Sequence, residues 1–405
     1  MTNVAGATAA GNVTLLYHED DYRAAAQWVP LPLEFDTVPA VVARLKALVA
    51  ERNLLLPDAD ALLERIVVEL LTGHVILTGP PGTGKTTLAK LIAEAFNCSA
   101  AIETATADWT AYDVVGGLQP KIVGHGTYAN EVLSPWLGHV TRACVECADA
   151  IAQHDDDAAA RPEQGHWLII DEFNRAEIDK AIGPLYTALS GTDRRIPLWF
   201  GDVPERSEVW VPERFRLIGT MNSVDTAYVF TFSQGLTRRF QFIYIGVPEA
   251  AQLDAEMAAA TTQAVRWYET SYGGKDAATD AADIAQSEAN FKDDAAVQGN
   301  LTRLKTLVKF LRYGDDATGR PGWPIGTAQV VDVLRQLVIR RSAGTTGPEA
   351  LDLAVADRIV PQMSGLMRDQ IEAFDERLGQ ADLAALGRTK KALAQVAESQ
   401  TTHFA

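Results

Sequence analysis

The sequence predicts an α/β fold, a parallel sheet sandwiched by helices around a phosphate-binding loop, followed by an all-helical region. Three observations predict it. A β-branched run, HVILT at 74–78, leads directly into the glycine loop GPPGTGKT at 79–86 and then into TTLAKLIAEAF, whose apolar spacing is helical. Strand, loop and helix follow in the order that a phosphate cradle requires. Two later runs, WLIID at 167–171 and RLIGTMN at 216–222, are short and continuously apolar, as strands buried on both faces are. From Ala251 to Arg341 the spacing is helical, interrupted by loops around Tyr272–Lys275 and Tyr313–Pro324.

Residues 1–40 hold several aromatics but no long periodic segment, and are expected to form an irregular arm with one short strand. Between Val38 and Leu71 apolar residues recur at helical spacing (Val41, Leu45, Leu48, then Leu62, Leu63, Ile66, Val67, Leu70), and LLLPDAD interrupts them. Two helices therefore lead into the first strand. Further helical segments are expected at 132–153 and 176–190, between the later strands. Pro248 closes the sheet region, and the tail from PEALDLAVADRIV onward reads as helix with Pro361 and Gly365 as breaks. The expected domains are an arm at 1–40, a nucleotide-binding core at 41–248, a helical lid at 249–345 and a C-terminal helical extension at 346–405.

With 405 residues, 47% apolar and 22% charged, the composition is that of an ordinary globular chain with room for two or three domains. It excludes wholesale disorder and fibrous repeats. The longest apolar stretches, Val67–Leu71 and Trp167–Ile170, fall far short of the roughly 18 residues of a membrane span. The first residues lack the basic start and apolar segment of a secretory signal, so a cytoplasmic location and no membrane partner are expected. Cys98, Cys144 and Cys147 are three thiols with no second ligand pair near CVEC, which favours reduced helix cysteines over a zinc site. The net charge of −17 argues against attraction of nucleic acid to the whole surface, while leaving open a local basic loop in a ring pore.

Gly79, Pro80, Pro81, Gly82, Thr83, Gly84, Lys85 and Thr86 complete the pattern GxxxxGK[ST], with Thr87 following. The glycines permit torsions that leave successive amide hydrogens pointing inward, and the helix beginning near Lys85 adds its positive dipole end. Lys85 supplies charge to the outer phosphates, and the Thr86 hydroxyl is a ligand for Mg2+. Hydrolysis of a nucleoside triphosphate is implied. In HWLIIDEFNRA, Asp171 and Glu172 stand at the end of a buried strand. Asp171 is expected to hold the Mg2+ through water and Glu172 to orient and polarise the attacking water. Asn222 ends the next strand as an uncharged polar group and is a candidate nucleotide sensor. GLTRRFQF carries Arg238 and Arg239 at the end of an expected helix, where they would protrude toward a neighbouring subunit.

These residues resemble the AAA+ superfamily over about residues 60–345, in the branch with a hairpin inserted in its second helix that contains MoxR-like chaperones, McrB-like motors, midasin and dynein. DEFNRA is similar to the DEINRA of the McrB and MoxR families, and VVGGLQPKIVGHGTYANEVLSPWL resembles the helix-2 insert, at about 114–135. RIPLWFGDVPERSEVWVPERFRL, at about 195–215, resembles the pre-sensor hairpin. MNSVD followed by LTRRFQF, and the tail LAVADRIVPQMSG, look closer to McrB than to MoxR. The resemblance implies Asn222 as sensor 1, Arg239 as the arginine finger with Arg238 assisting, and Lys121–Tyr128 facing a pore. It also implies a hexameric homo-oligomeric ring. McrB-type motors characteristically use GTP, but nothing in GPPGTGKT or MNSVD reads the base, so ATP is the expected nucleotide, with GTP as the alternative. The McrB-like reading is the motor of a restriction or anti-phage system with a separately encoded effector nuclease, DNA being reached through the pore or the partner. The MoxR-like reading is a chaperone that remodels a protein. Where the lid's sensor-2 arginine is expected, WPIGTAQVVDVLR has Ala328, so sensing from the lid is either lost or taken over by another residue such as Arg335.

Overall fold

Short, largely buried apolar runs build the three central strands of the sheet, and the helices between them bury one face each. The computed structural model describes residues 31–123, 130–190, 193–199, 208–223, 233–314, 322–366 and 368–402. The expected arm therefore lies outside the described residues up to residue 30, and its remainder ends where a helix begins at Val38.

The chain divides into two compact units. In the first, α1 (Val38–Glu51) and α2 (Ala59–Thr72) precede β1 (His74–Gly79) and α3 (Lys85–Ala95). Then come β2 (Ser99–Thr104), the single turn α4 (Ala111–Val114), β3 (Gly116–Val123), β4 (Asn130–Leu137), α5 (His139–Asp156) and β5 (His166–Asp171). The series closes with α6 (Ile178–Ile182), α7 (Tyr186–Ser190), β6 (Arg195–Pro197), β7 (Glu208–Trp210), β8 (Leu217–Asn222), α8 (Gln234–Thr237) and β9 (Phe240–Tyr244). Five strands form a fully parallel sheet in the order β2-β5-β8-β1-β9. β1 and β8 run in register so that Gly79 lies opposite Asn222. The carboxyl ends of β1, β5 and β8 thus open on one edge of the sheet, where open α/β sheets bind ligands.

Two expectations need correction. The stretch 132–153 is not helical throughout: Asn130–Leu137 is a strand paired antiparallel with β3, and the helix starts at His139 after Gly138. Pairing with Gly116–Val123 gives NEVLSPWL a partner that no local periodicity reveals. The segment 176–190 is two one-turn helices around a 3-10 turn at Gly183–Leu185, because Pro184 has no amide to continue the ladder. The helix expected before Arg238 is present, as the single turn α8. In the region resembling the pre-sensor hairpin, β6 pairs antiparallel with β7, and 200–207 lie outside the described residues. So does the tip 124–129 of the β3–β4 hairpin, on which the expected pore-facing His125 and Tyr128 fall.

The first unit's core is closed by Trp167 over Phe96 (centroids 5.3 Å apart), with the indole Nε1 donating to the Arg214 carbonyl at 2.8 Å. His74 is buried at the start of β1, its Nδ1 accepting from the Leu217 amide (3.0 Å) and its Nε2 within 3.2 Å of the Leu189 carbonyl. Burial first, then the Arg216 charge, pushes its pKa down to about 3. Cys98, Cys144 and Cys147 are free and buried, and burial raises all three thiols, Cys147 to about 12.

The second unit is helical: α9 (Leu253–Ser271), α10 (Ala281–Lys292), α11 (Ala295–Tyr313), α12 (Thr327–Ser342), α13 (Pro348–Arg358), α14 (Arg368–Leu378) and α15 (Gly387–Thr402). The short segments Asn53–Pro57 and Pro80–Gly84 pack with it. Its core holds a buried ion pair. Arg312 grips both oxygens of Glu256, with Nη2 to Oε1 at 2.6 Å, and both side chains are fully buried. Arg335, the expected substitute for a sensor, lies over the Trp267 ring at 5.0 Å with Asp332 at 3.3 Å. Among the described residues no helix is long and apolar enough to cross a membrane.

Candidate active site at the strand ends

The loop between β1 and α3 turns through Gly82 (φ +75°) and Gly84 (φ +82°). These torsions lie in the region that side chains resist and glycine enters freely. Thr83 secures the turn from inside, its Oγ1 donating to the Pro80 carbonyl at 3.1 Å. Lys85, at the first position of α3, is buried. Its Nζ donates to the Gly79 carbonyl and to Asn222 Oδ1, each at 3.0 Å. Thr87 is exposed.

Asn222 links the lysine to the acidic pair, because its Nδ2 donates to Glu172 Oε1 at 2.9 Å. Glu172 takes a left-handed backbone conformation (φ 55°, ψ 40°), uncommon for a residue with a side chain and found preferentially at functional sites. Its other oxygen, Oε2, lies 3.2 Å from Arg175 Nε but is buried without an aligned hydrogen bond. The two are charge neighbours rather than a hydrogen-bonded pair. Asn174 donates weakly to the Asn222 carbonyl (3.5 Å), and its Oδ1 is buried with no partner.

Asp171, one residue earlier, is the last residue of β5. Its Oδ1 accepts from Thr86 Oγ1 at 2.8 Å and from Thr220 Oγ1. A hydroxyl and a carboxylate oxygen in contact are a donor set suited to a hard cation. Mg2+ keeps several waters and binds through one or two carboxylates plus substrate phosphates, so the pair fits without further protein ligands. Thr220 and Asn174 went unnamed in the sequence reading. Thr220 was discoverable, since it sits two residues before Asn222 on the same strand and hence on the same face.

Arg238 and Arg239 separate. Arg238 is exposed. Arg239 is part-buried and does not project freely: its Nε donates to the Tyr186 carbonyl (2.6 Å), its Nη1 to the Gly235 carbonyl (2.7 Å), and its guanidinium lies 4.7 Å from the Tyr186 ring centre. The Tyr186 hydroxyl in turn donates to Asp179, which also accepts from the Ser233 amide at 2.8 Å.

Residues 74–240 match the family described as AAA domain (dynein-related subfamily). Such a domain hydrolyses nucleotide, and every strand and loop of the site lies within it. No curated protein matches the chain. Among solved structures, a candidate ATPase of Cytophaga hutchinsonii is similar at 12% identity, covering 78% of this chain and 86% of that one, with a TM-score of 0.35. A RuvB mutant of Thermotoga maritima is similar at 16% identity, covering 87% and 86%, with a TM-score of 0.35.

Proposed function

We propose that this chain, whose residues 74–240 match the AAA domain of the dynein-related subfamily, is a motor that couples hydrolysis of ATP, or of GTP as the alternative, to remodelling or translocation in a homo-oligomeric ring. The observation that carries the catalytic part is the run of hydrogen bonds from Lys85 through Asn222 to Glu172. It brings a cation, a neutral polar group and a carboxylate to the end of the phosphate loop. In this reading the inward amides of Gly82–Gly84 and the Lys85 ammonium hold the β- and γ-phosphates. Thr86 and Asp171 hold Mg2+, which when bound offsets charge on the phosphates. Glu172 accepts the proton of the attacking water, and Asn222 fixes the carboxylate through Oε1. Glu172 Oε2 and Asn174 Oδ1 accept no hydrogen bond, and a water beside the γ-phosphate is a donor for them.

The likeness of MNSVD and LTRRFQF to McrB-like motors supports work in a restriction or anti-phage defence system, with a separately encoded nuclease or other effector as partner and DNA reached through the ring or the partner. The acidic balance of the chain, −17, favours a protein substrate and so keeps a MoxR-like remodelling role as the second reading. Double-stranded DNA and candidate effector proteins, added in turn to the purified chain, separate the two by which one stimulates hydrolysis. The catalytic assignment is tested by Glu172→Gln, which keeps size and hydrogen bonding but loses the base. Turnover should fall about 10²–10⁴-fold while nucleotide still binds. Near-normal turnover would remove Glu172 from the mechanism.

A further inference from the structure

The first turn of α12 has no side-chain cap: its N-cap is Gly326, which offers none. The first four amides of a helix need partners from outside it. One comes from the phosphate loop, because the Ala328 amide donates to the Gly82 carbonyl at 3.0 Å. The approach is close. A Cβ added to Gly326 would stand 2.3–2.5 Å from backbone atoms of Pro81 and Gly82. The Gln329 side chain adds a longer bond, Nε2 to the Pro81 carbonyl at 3.4 Å.

Behind this contact lies the buried ion pair of the helical unit. Glu256 Oε1 accepts from the Thr327 hydroxyl at 2.6 Å, and Arg312 Nε donates to the Ile325 carbonyl at 2.7 Å. The residues on both sides of Gly326 are therefore fixed by one carboxylate and one guanidinium that hold each other. We propose that the Ala328 amide is a latch on the phosphate loop, and that Glu256 and Arg312 are positioning residues that hold the latch. A trans peptide points its carbonyl and the next amide in opposite directions. Holding the Gly82 carbonyl toward α12 turns the Thr83 amide away from α12, into the cradle where an anion sits. The helical unit thereby pre-sets a phosphate-binding amide by backbone contact, at the helix start where a sensing arginine is absent and Ala328 stands instead.

The inference rests on the loop binding phosphate, and its test separates the two ideas. Gly326 has an ordinary φ of −82°, so in Gly326→Ala the added methyl changes only the space against Pro81 and Gly82. Ala328→Pro removes the donor itself. It does so at a helical position where α1 already carries a proline, Pro39. For both variants the Michaelis constant for ATP should rise about 5–10-fold, the scale of one hydrogen bond and its preorganisation, while kcat stays within about 3-fold. A fold defect alone would lower kcat instead. In the unmodified chain, linkage requires ATP to slow amide exchange in the peptide spanning 326–329. A measurement there needs no variant to fold. Unchanged Michaelis constants, a fall in kcat alone, or exchange that ATP leaves unaltered would overturn the latch. Lys85→Ala is run alongside. If it too binds ATP normally, the phosphate-loop reading has failed, and if it alone loses binding, only the latch has.

Discussion

The strand-end site and the Glu256–Arg312 pair treat their buried carboxylates in opposite ways. At the strand ends, Glu172 and Asn174 each keep a buried oxygen with no hydrogen-bond donor, and Glu172 sits in a backbone conformation that side chains resist. In the helical unit the Glu256 carboxylate accepts from Arg312 on both oxygens and from Thr327 besides. A half-satisfied site costs stability and is ready for a ligand, whereas a satisfied one fixes a shape. The first region has acceptors free for a ligand's donors, and the second has none to spare.

The largest expected effect tests the second half of that contrast. Glu256→Ala leaves the Arg312 charge buried and unpaired, and should cost about 3–5 kcal/mol of unfolding free energy in denaturant titration. A loss under about 1 kcal/mol would mean that the pair is dispensable to the fold and the contrast is false. The neighbouring arginines give a middle-sized effect. Arg239→Ala frees two carbonyls and a ring face, for a loss of about 1–2 kcal/mol, while Arg238→Ala, exposed, should fall within about 0.5 kcal/mol of the parent. If both act across a ring interface, turnover falls in both, and mixing either with Glu172→Gln subunits restores some activity. If only Arg238→Ala lowers turnover, Arg239 is a clamp and not a finger.

The central strands β1, β5 and β8 were legible because continuous apolar runs have few other uses, and the loop was legible because GxxxxGK[ST] after a strand is a demanding pattern. The two outer strands of the sheet were not. β2, SAAIET, has no fully buried residue, and β9, FQFIY, follows a one-turn helix, so neither carries the run that marks a buried strand. Nor does sequence say which of two adjacent arginines points outward. That depends on where α8 ends and on Tyr186, some fifty residues earlier. Glu172's left-handed backbone and the unpartnered oxygen of Asn174 are tertiary facts with no local signature, whereas Thr220 was a missed inference from strand period.

The smallest effect reaches the sheet beneath the site. His74 is neutral in the fold, with a pKa near 3 against the ordinary 6.5. The unfolded chain therefore binds the extra proton between those values, and stability falls as pH drops through that window, by up to about 1.4 kcal/mol per pH unit for this group. Above pH 6.5 the group contributes no slope. Comparing His74→Gln with the parent in denaturant titrations from pH 7.5 to 5.5 isolates the contribution. Identical slopes would mean that His74 is protonated or exposed, and that the core under β1 is more open than its hydrogen bonds imply.

The three cysteines have a practical consequence at the bench. Each thiol is buried and its ionisation suppressed, and alkylating reagents attack thiolates that they can reach. Native thiols are thus silent toward maleimides while the first unit stays closed. A single cysteine engineered at an exposed position such as Arg238 accepts a fluorophore without removal of the other three, and the rate at which the native three become reactive serves as a clock for opening of the α/β unit.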